Sequence, residues 1–468
     1  VSYGTRLTAL DHSFLQLEGE ATHMHVGACA VFDGPAPAYG DLIAVIEGRL
    51  HLLPRYRQRL APVPFGQGRP VWVDDPHFRL PFHVRHTALP HPGNDTQLRR
   101  LAGRIFSQAL DRGRPLWEMW LIEGLSHGRF ALLSKTHHAL VDGISGIDIA
   151  SVLFDTDPGA RPEPALPWSP RPLPSSAQLL ADALAERATR PAEAVATLDA
   201  IARRPRRLLS RAGAAVTGLG ALTWAGLSPA PRSPFNLPIG PHRRFTWIDA
   251  SLAQFRTVRH DQQATINDVI LAAVSGGLAR YMERHQFETD GLVLKALVPV
   301  SVRDDTDRGV LGNRLAAMWA PLPVGITDPR QRLRVIADAM SGVKRSGQAI
   351  GAQALTELAG FASPTLVARA ARLQAHQRLF NLVVTNVPGP QQPLYLLGRR
   401  MQAIYPLVPL AANTAVGIAV LSYDGRLNFG LVADYDALPD LDLLAADLEA
   451  SIAELVQSVE DSAIAAIT

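Results

Sequence analysis

Ser134-Lys-Thr-His-His-Ala-Leu-Val-Asp-Gly-Ile-Ser-Gly146 is the stretch that organises the chain. It carries His137, His138, Asp142 and Gly143 in the pattern His-His-x-x-x-Asp-Gly. The residues before it, Arg129 to Thr136, read as a short strand. After it, Ile144, Ile147, Ala150, Ser151 and Phe154 fall at helical spacing. The motif therefore sits on a strand-to-helix turn, where Gly143 can take a backbone angle that other residues avoid.

Side chains of neighbouring residues on an extended backbone point to opposite faces. His137 and His138 cannot both serve one site unless the turn has already begun, so one should face a cavity while the other packs. A neutral imidazole is the usual general base near neutral pH. Asp142 could fold back past the turn to fix the loop or orient a ring. Alone, a histidine at a strand end is more often a hydrogen-bonded core residue, and Asp-Gly is more often a plain turn. A metal site is not expected. Adjacent strand histidines diverge, and neither a cysteine cluster nor His-Glu-x-x-His is present to complete a ligand shell.

The strand before the motif has a natural partner. Pro115-Leu116-Trp117 opens a strand from Trp117 to Glu123, which pairs with Arg129–Thr136 through the turn Gly124–Gly128. Trp117 could be core or could line a cavity. Upstream lie the amphipathic piece Leu10–Leu17, a strand from His23 to Phe32, a helix from Asp41 to Leu53 with Asp41 as N-cap, and a helix from Asp95 to Ala109.

With 468 residues, the chain is too long for one ordinary core, and two domains are expected. Apolar residues make up 47%, enough to exclude bulk disorder. A net charge of +3 does not suit a globally basic nucleic-acid binder. Cys29 is the single cysteine, so no intramolecular disulfide can form. Its apolar flank, Val26–Phe32, makes it an inert core thiol. No basic-then-apolar leader and no run of about 18 apolar residues occurs. A cytoplasmic protein is expected, with peripheral contact at an inner membrane face or lipid inclusion left open.

Residues 155–176 hold seven prolines in 22 positions and read as a linker or extended crossover. From Ala200 to Ile248 there are eight arginines and no acidic residue. Arg203–Arg211 then runs into the soft apolar stretch Ala212–Leu227. Such a pairing suits an anionic membrane surface, a helix with solvated arginines, or attraction of a polyanion such as coenzyme A. Beyond it, Phe245–Leu252, Gly291–Arg303, Leu315–Leu322, Leu379–Val387, Thr414–Tyr423 and Arg426–Ala433 read as strands. Arg303 is a candidate partner for a buried carboxylate. A helix starts at Thr265, with Asn267 the better N-cap candidate and Asp268 in its first turn. Further helices are expected over 328–344, 353–373 and 441–459. Strands and helices alternate on both sides of the Pro-rich stretch, which gives an α/β class with mixed sheets. The expected division is 1–154, a 155–234 crossover and basic linker, and 235–468.

His137-His-Ala-Leu-Val-Asp-Gly143 is similar to the active-site motif of coenzyme-A-dependent acyltransferases of the chloramphenicol acetyltransferase type. More narrowly, the chain resembles the bacterial wax ester synthase/diacylglycerol acyltransferases. That likeness rests on Pro115-Leu-Trp117, the His-His motif, Pro238-Ile-Gly-Pro-His-Arg-Arg244 and Asn267-Asp-Val-Ile-Leu-Ala272. Ile270 stands where the family more often has Val. Leu10-Asp and Asn386-Val-Pro-Gly389 also fit, so the resemblance covers nearly the whole chain. It implies two chloramphenicol-acetyltransferase-like domains with an interdomain active-site tunnel. His138 would be the general base, His137 its supporting neighbour and Asp142 mainly structural. Gly143, Pro115, Leu116 and Trp117 would lie on the substrate side, with Asn267 and Asp268 supporting the site from the second domain. The implied reaction is direct transfer from acyl-CoA, a co-substrate and not a resident cofactor, to a long-chain alcohol or diacylglycerol. No Gly-x-Ser-x-Gly elbow offers a serine nucleophile. A related acyltransferase acting on a polyketide alcohol or amine, and a non-catalytic lipid-binding protein, are the alternatives.

Overall fold

The structure is a computed structural model that describes residues 4–140, 152–161, 163–186, 229–301, 315–345 and 378–465. Its first half builds strands β1 (Thr5–Arg6), β2 (His25–Phe32), β3 (Gln58–Ala61), β4 (Val71–Asp74), β5 (Val84–Ala88), β6 (Trp117–Glu123) and β7 (Phe130–His137). Helices α1 (Ala9–Leu17), α2 (Tyr39–Arg49) and α3 (Asp95–Phe106) are interleaved with them. The second half holds β8 (Arg243–Ser251), α4 (Leu252–Asp261), α5 (Ile266–Arg284), β9 (Val293–Ser301), β10 (Leu315–Pro323) and α6 (Pro329–Arg345). It closes with β11 (Leu382–Pro388), β12 (Tyr395–Leu396), β13 (Arg399–Leu407), β14 (Val416–Tyr423), β15 (Arg426–Asp434) and α7 (Leu441–Ala465).

Two six-stranded mixed sheets carry the fold, as the alternation of elements leads one to expect. The first has the order β12-β13-β2-β7-β6-β5, with β5 and β6 parallel. The second has the order β10-β9-β11-β14-β15-β8, with β11 parallel to both β9 and β14. A small third sheet, β1-β4-β3, flanks the first. The β6–β7 hairpin forms as read, and β2 lies antiparallel to β7 on its other side.

Where the chain departs from the sequence reading, local chemistry explains it. The N-cap of α2 is Ala38, and Asp41 sits in the first turn, where its charge still favours the helix N-terminus. The N-cap of α5 is Thr265 rather than Asn267. Thr265 and Asp268 form a capping box, in which Asp268 Oδ2 accepts from the Thr265 N–H at 2.9 Å and from its hydroxyl at 2.7 Å. The helix expected over 353–373 lies outside the described residues.

β13 was not foreseen, and it changes how the halves join. Pro406 and the pair Arg399-Arg400 argue against a central strand. Yet β13 runs antiparallel to β2 inside the first sheet. Segment 235–468 therefore lends strands to both large sheets. At this seam Tyr405 of β13 stacks on Trp247 of β8, with ring centroids 4.6 Å apart. They share one buried apolar cluster with Cys29, Leu133 and Phe106 from the first half. The approach is tight enough to need glycine. A Cβ on Gly430 would lie 1.8 Å from the Pro406 carbonyl oxygen, and one on Gly103 of α3 would lie 2.8 Å from the Arg243 carbonyl oxygen.

Gly430→Ala should accordingly lower stability by about 1–3 kcal/mol, the usual cost of forcing extra volume into a packed site. Urea unfolding measures it, and an unchanged midpoint would mean that β13 can yield at Pro406.

Candidate active site

His137 is the last residue of β7, and His138 opens a single 3-10 turn, His138–Leu140. The change of backbone separates the two rings. His137 is 1% exposed, whereas His138 keeps a half-buried surface. Both backbone N–H groups are fixed. That of His137 donates to the Leu116 carbonyl at 2.9 Å, and that of His138 to the Met24 carbonyl at 2.8 Å. The turn is thereby held from both sides, by the Pro115-Leu116-Trp117 segment and by the entry to β2.

The His138 ring stacks on Phe14 of α1, with centroids 3.9 Å apart and planes at 27°. Its Nδ1 is buried and makes no hydrogen bond among the described residues. Burial pushes the ring's pKa down to about 4, with the nearby His137 adding to the effect and His138's own carbonyl opposing it. The ring is neutral at physiological pH. In the tautomer with its proton on Nδ1, the Nε2 lone pair is left to accept another.

His137 is anchored differently. Its Nδ1 accepts the Ala139 N–H at 3.0 Å, which places the proton of the neutral ring on Nε2. Nε2 faces Glu18 Oε2 at 3.5 Å. Glu18 caps the C-terminus of α1, and its other oxygen lies 3.5 Å from Nε2 of His25, the β2 residue paired with His137. Arg112 closes the group from outside, donating from Nε to Glu18 at 2.8 Å and from its other nitrogen to both Glu18 and the Leu15 carbonyl. Burial alone would raise the Glu18 carboxyl. The two histidines and Arg112 outweigh it and hold the group well below the usual carboxylate range. Burial also pushes His25 down to about 4, against the pull of Glu18.

Pro115, Leu116 and Trp117 are all buried. The Trp117 indole N–H donates to the Tyr56 carbonyl at 2.8 Å, and its ring stacks on His83. These residues brace the hairpin, so of the two readings of Trp117 the structure favours core. Asp268 is buried and spends Oδ2 on the helix cap, while its Oδ1 has no hydrogen-bond partner among the described residues. Asn267 is half-buried beside it. Helix α5 packs against α4, α6, α7 and β10. Asp142, Gly143, Arg303 and the basic stretch 203–227 lie outside the described residues.

Arg243, from the Pro238–Arg244 motif, ties the two halves together beside this group. Its side chain donates to Gly240 and His242 carbonyls and crosses to the Ala21 carbonyl just ahead of β2. It also lies 3.6 Å from Asp434. Its backbone N–H donates to Ser107 Oγ at 2.7 Å. Burial lowers the guanidinium to about 10, so it stays charged at neutral pH.

Among the described residues no three His, Cys, Asp or Glu side chains are grouped to hold a metal ion. A cleft of about 560 Å³ opens between Asp249, Arg426 and Glu460, but it shares no residue with the histidine site. Sequence reasoning missed Glu18, His25, Arg112 and Phe14. One signal was there to be read: a carboxylate at a helix C-terminus opposes the helix dipole and calls for a cation nearby.

The profile of the wax ester synthase/diacylglycerol acyltransferase catalytic domain matches residues 7–270, and that of the family's C-terminal domain matches 311–456. The chain belongs to this family. It is an acyltransferase. A probable diacylglycerol O-acyltransferase of Mycobacterium tuberculosis is 36% identical over 460 residues, covering 96% of this chain and 95% of the relative. A second relative from that species, named as a diacylglycerol O-acyltransferase, is 34% identical over 97% of this chain and 91% of its own length. Among solved structures, the wax ester synthase/diacylglycerol acyltransferase of Marinobacter aquaeolei superposes with a TM-score of 0.68 at 28% identity, covering 97% of this chain and 100% of that one. The first condensation domain of the calcium-dependent antibiotic synthetase gives a TM-score of 0.60 at 17% identity, covering 98% and 97%, a likeness of fold. The two-domain, mixed-sheet architecture implied by the His-His motif is thus the one found.

His138 should titrate near 4 instead of the ordinary 6.5. At pH 5.5 an unperturbed histidine is about nine-tenths protonated, whereas His138 should remain neutral. Histidine ring signals followed by NMR against pH, with His138→Gln for assignment, test this. An inflection near 6.5 would contradict it. The sign for stability follows: the unfolded chain binds more protons in this window, so acid weakens the fold as pH falls from 6.5 towards 4.

Proposed function

We propose that the protein transfers the acyl group of an acyl-CoA directly to the hydroxyl of a long-chain alcohol or a diacylglycerol, forming neutral lipid esters. The observation that carries this reading is His138: neutral, half-buried, held at both its backbone and its ring, with no hydrogen bond to Nε2 among the described residues. Names of the relatives support the lipid acceptor. A starter condensation domain of the same fold, from rhizomide synthetase, was solved with C8-CoA and Leu-SNAC, which supports an acyl-CoA donor by analogy of fold.

In this reading His138 Nε2 takes the proton of the acceptor hydroxyl as its oxygen attacks the thioester carbonyl. The carbon–sulfur bond then breaks, and the departing thiolate takes the proton back from the imidazolium. No resident cofactor and no covalent acyl-enzyme takes part. A positioned base contributes typically ~10²–10⁴-fold, and alignment of the two substrates between the halves adds to it. Asp142 stabilises the turn, Gly143 leaves room for substrate, and Arg303 pairs a buried carboxylate. Asn267 and Asp268 support the site from the second domain. The arginine-rich, apolar stretch 203–227 rests on a membrane or lipid-inclusion surface from the cytoplasmic side. Among the described residues no helix is long and apolar enough to cross a membrane.

A panel of acceptors incubated with palmitoyl-CoA tests substrate class, with thiol release as readout. Hexadecanol or diacylglycerol should support release, and a requirement for an amine or a polyketide alcohol would favour a different acyltransferase of the superfamily. In the same assay His138→Ala should lose ester formation by about 10²–10⁴-fold with its circular dichroism unchanged. A folded variant at wild-type turnover would remove His138 as the base.

A further inference from the structure

Glu18 belongs to none of the motifs that carry the family resemblance, yet it is the one carboxylate that touches the His-His pair among the described contacts. It lies 3.5 Å from Nε2 of His137 and 3.5 Å from Nε2 of His25. Both Nε2 atoms are buried and neither makes a hydrogen bond among the described residues, so Glu18 is the acceptor nearest to hand at a distance slightly too long for a formed bond. Contacts of this kind in free enzymes are often long and tighten in the substrate complex. The side chain is 10% exposed, so little water competes for it.

Helix α1 engages the histidine turn at two places. Phe14, one turn before the helix end, lies flat on the His138 ring. Glu18, at the C-cap, meets the imidazole of His137. Arg112 fixes that helix end by donating to both the Glu18 carboxylate and the Leu15 carbonyl. The carboxylate thus joins four separate chain segments: α1, β2, β7 and the loop that follows α3.

The position of one proton gives this contact chemical content. Ala139 N–H already occupies Nδ1 of His137, so the neutral ring must carry its proton on Nε2. An acceptor at Nε2 stabilises that tautomer, and a donor there opposes it. If the tautomer changed, Nδ1–H would face the Ala139 N–H, donor against donor, inside the turn that presents His138. The energetic link therefore runs from Glu18 to His137, from His137 to the 138–140 turn, and from the turn to His138.

We propose that Glu18 is a positioning residue for acyl transfer: by accepting from Nε2–H of His137 it fixes the tautomer and the turn that aim His138 at the acceptor hydroxyl. This rests on the assignment of His138 as the base. Glu18 touches neither His138 nor the reacting atoms. Its effect should fall on kcat, through the aim of the base, and leave KM nearly unchanged.

Glu18→Gln keeps size and shape but replaces one oxygen by an N–H donor. In the acyl-CoA/alcohol assay it should lower kcat by about 10–100-fold, taking as guide the loss seen when the hydrogen-bond partner of a metal-bound histidine is removed, with KM within about two-fold. In ¹⁵N-histidine spectra of the full chain, the His137 signal, assigned with His137→Gln, should move from the Nε2–H tautomer in the wild type towards Nδ1–H in the variant. A merely structural role would change stability and not the tautomer. Wild-type kcat in a folded Glu18→Gln protein overturns the proposal, as does an unchanged tautomer alongside lost activity. Should Glu18→Gln fail to fold, Glu18→Asp decides. It retains the acceptor and should keep the Nε2–H tautomer with a smaller loss of kcat, and failure of both variants to fold makes Glu18 a fold determinant only and overturns the proposal. His138→Ala run in parallel keeps the two readings apart: its full activity would sink the base, whereas an inactive His138→Ala beside a fully active Glu18→Gln would sink only the positioning role.

Discussion

Two backbone hydrogen bonds set the geometry on which the rest depends. His137 N–H is held by the Leu116 carbonyl and His138 N–H by the Met24 carbonyl. Between them the chain leaves β7 and turns. Without that change of direction the two rings would point to opposite faces of one strand. With it, one ring is sealed against Glu18 and the other is laid under Phe14. The Pro115-Leu116-Trp117 motif gains a physical meaning here. Its carbonyl, more than its side chains, reaches the histidine pair, and Trp117 anchors the segment to Tyr56.

A pinned turn is useful only if the second half of the molecule is equally fixed. The seam supplies that. β13 belongs by sequence to the C-terminal half but pairs within the first sheet, and Tyr405 on it stacks against Trp247 of the second. Arg243 crosses the same seam to the Ala21 carbonyl, close to the start of β2. Neither contact is chemical in the sense of the reaction. Both limit how far the halves can shift relative to the strand that carries His137.

Much of this was legible in the sequence, for reasons that can be named. The β6–β7 hairpin, β2, β9, β10, β11, β14 and β15 announce themselves by apolar runs between turn residues. The His-His pattern singled out the candidate site because its residue types are uncommon together. β13 was hidden because Pro406 and Arg399-Arg400 are poor strand formers, and only the tertiary seam repays them. At α5 the sequence offered two capping residues two positions apart. The reciprocal bond from Asp268 selects Thr265, a relation visible only if residues are read three apart. Glu18 could not be found by motif at all. Its partner Arg112 is 94 residues away and is brought in by the fold.

The electrostatics of the site suit a base and not a nucleophile. A neutral imidazole depressed by burial to about 4 can collect a proton briefly and surrender it readily to a departing thiolate. The direct transfer proposed above needs both substrates present together. The most direct test is therefore a rapid-quench experiment on the full chain with palmitoyl-CoA, first without and then with hexadecanol. The account predicts no thiol and no acylated protein by intact mass until the alcohol is added, and ester thereafter. A stoichiometric burst of thiol with acylated protein in the absence of alcohol would contradict it.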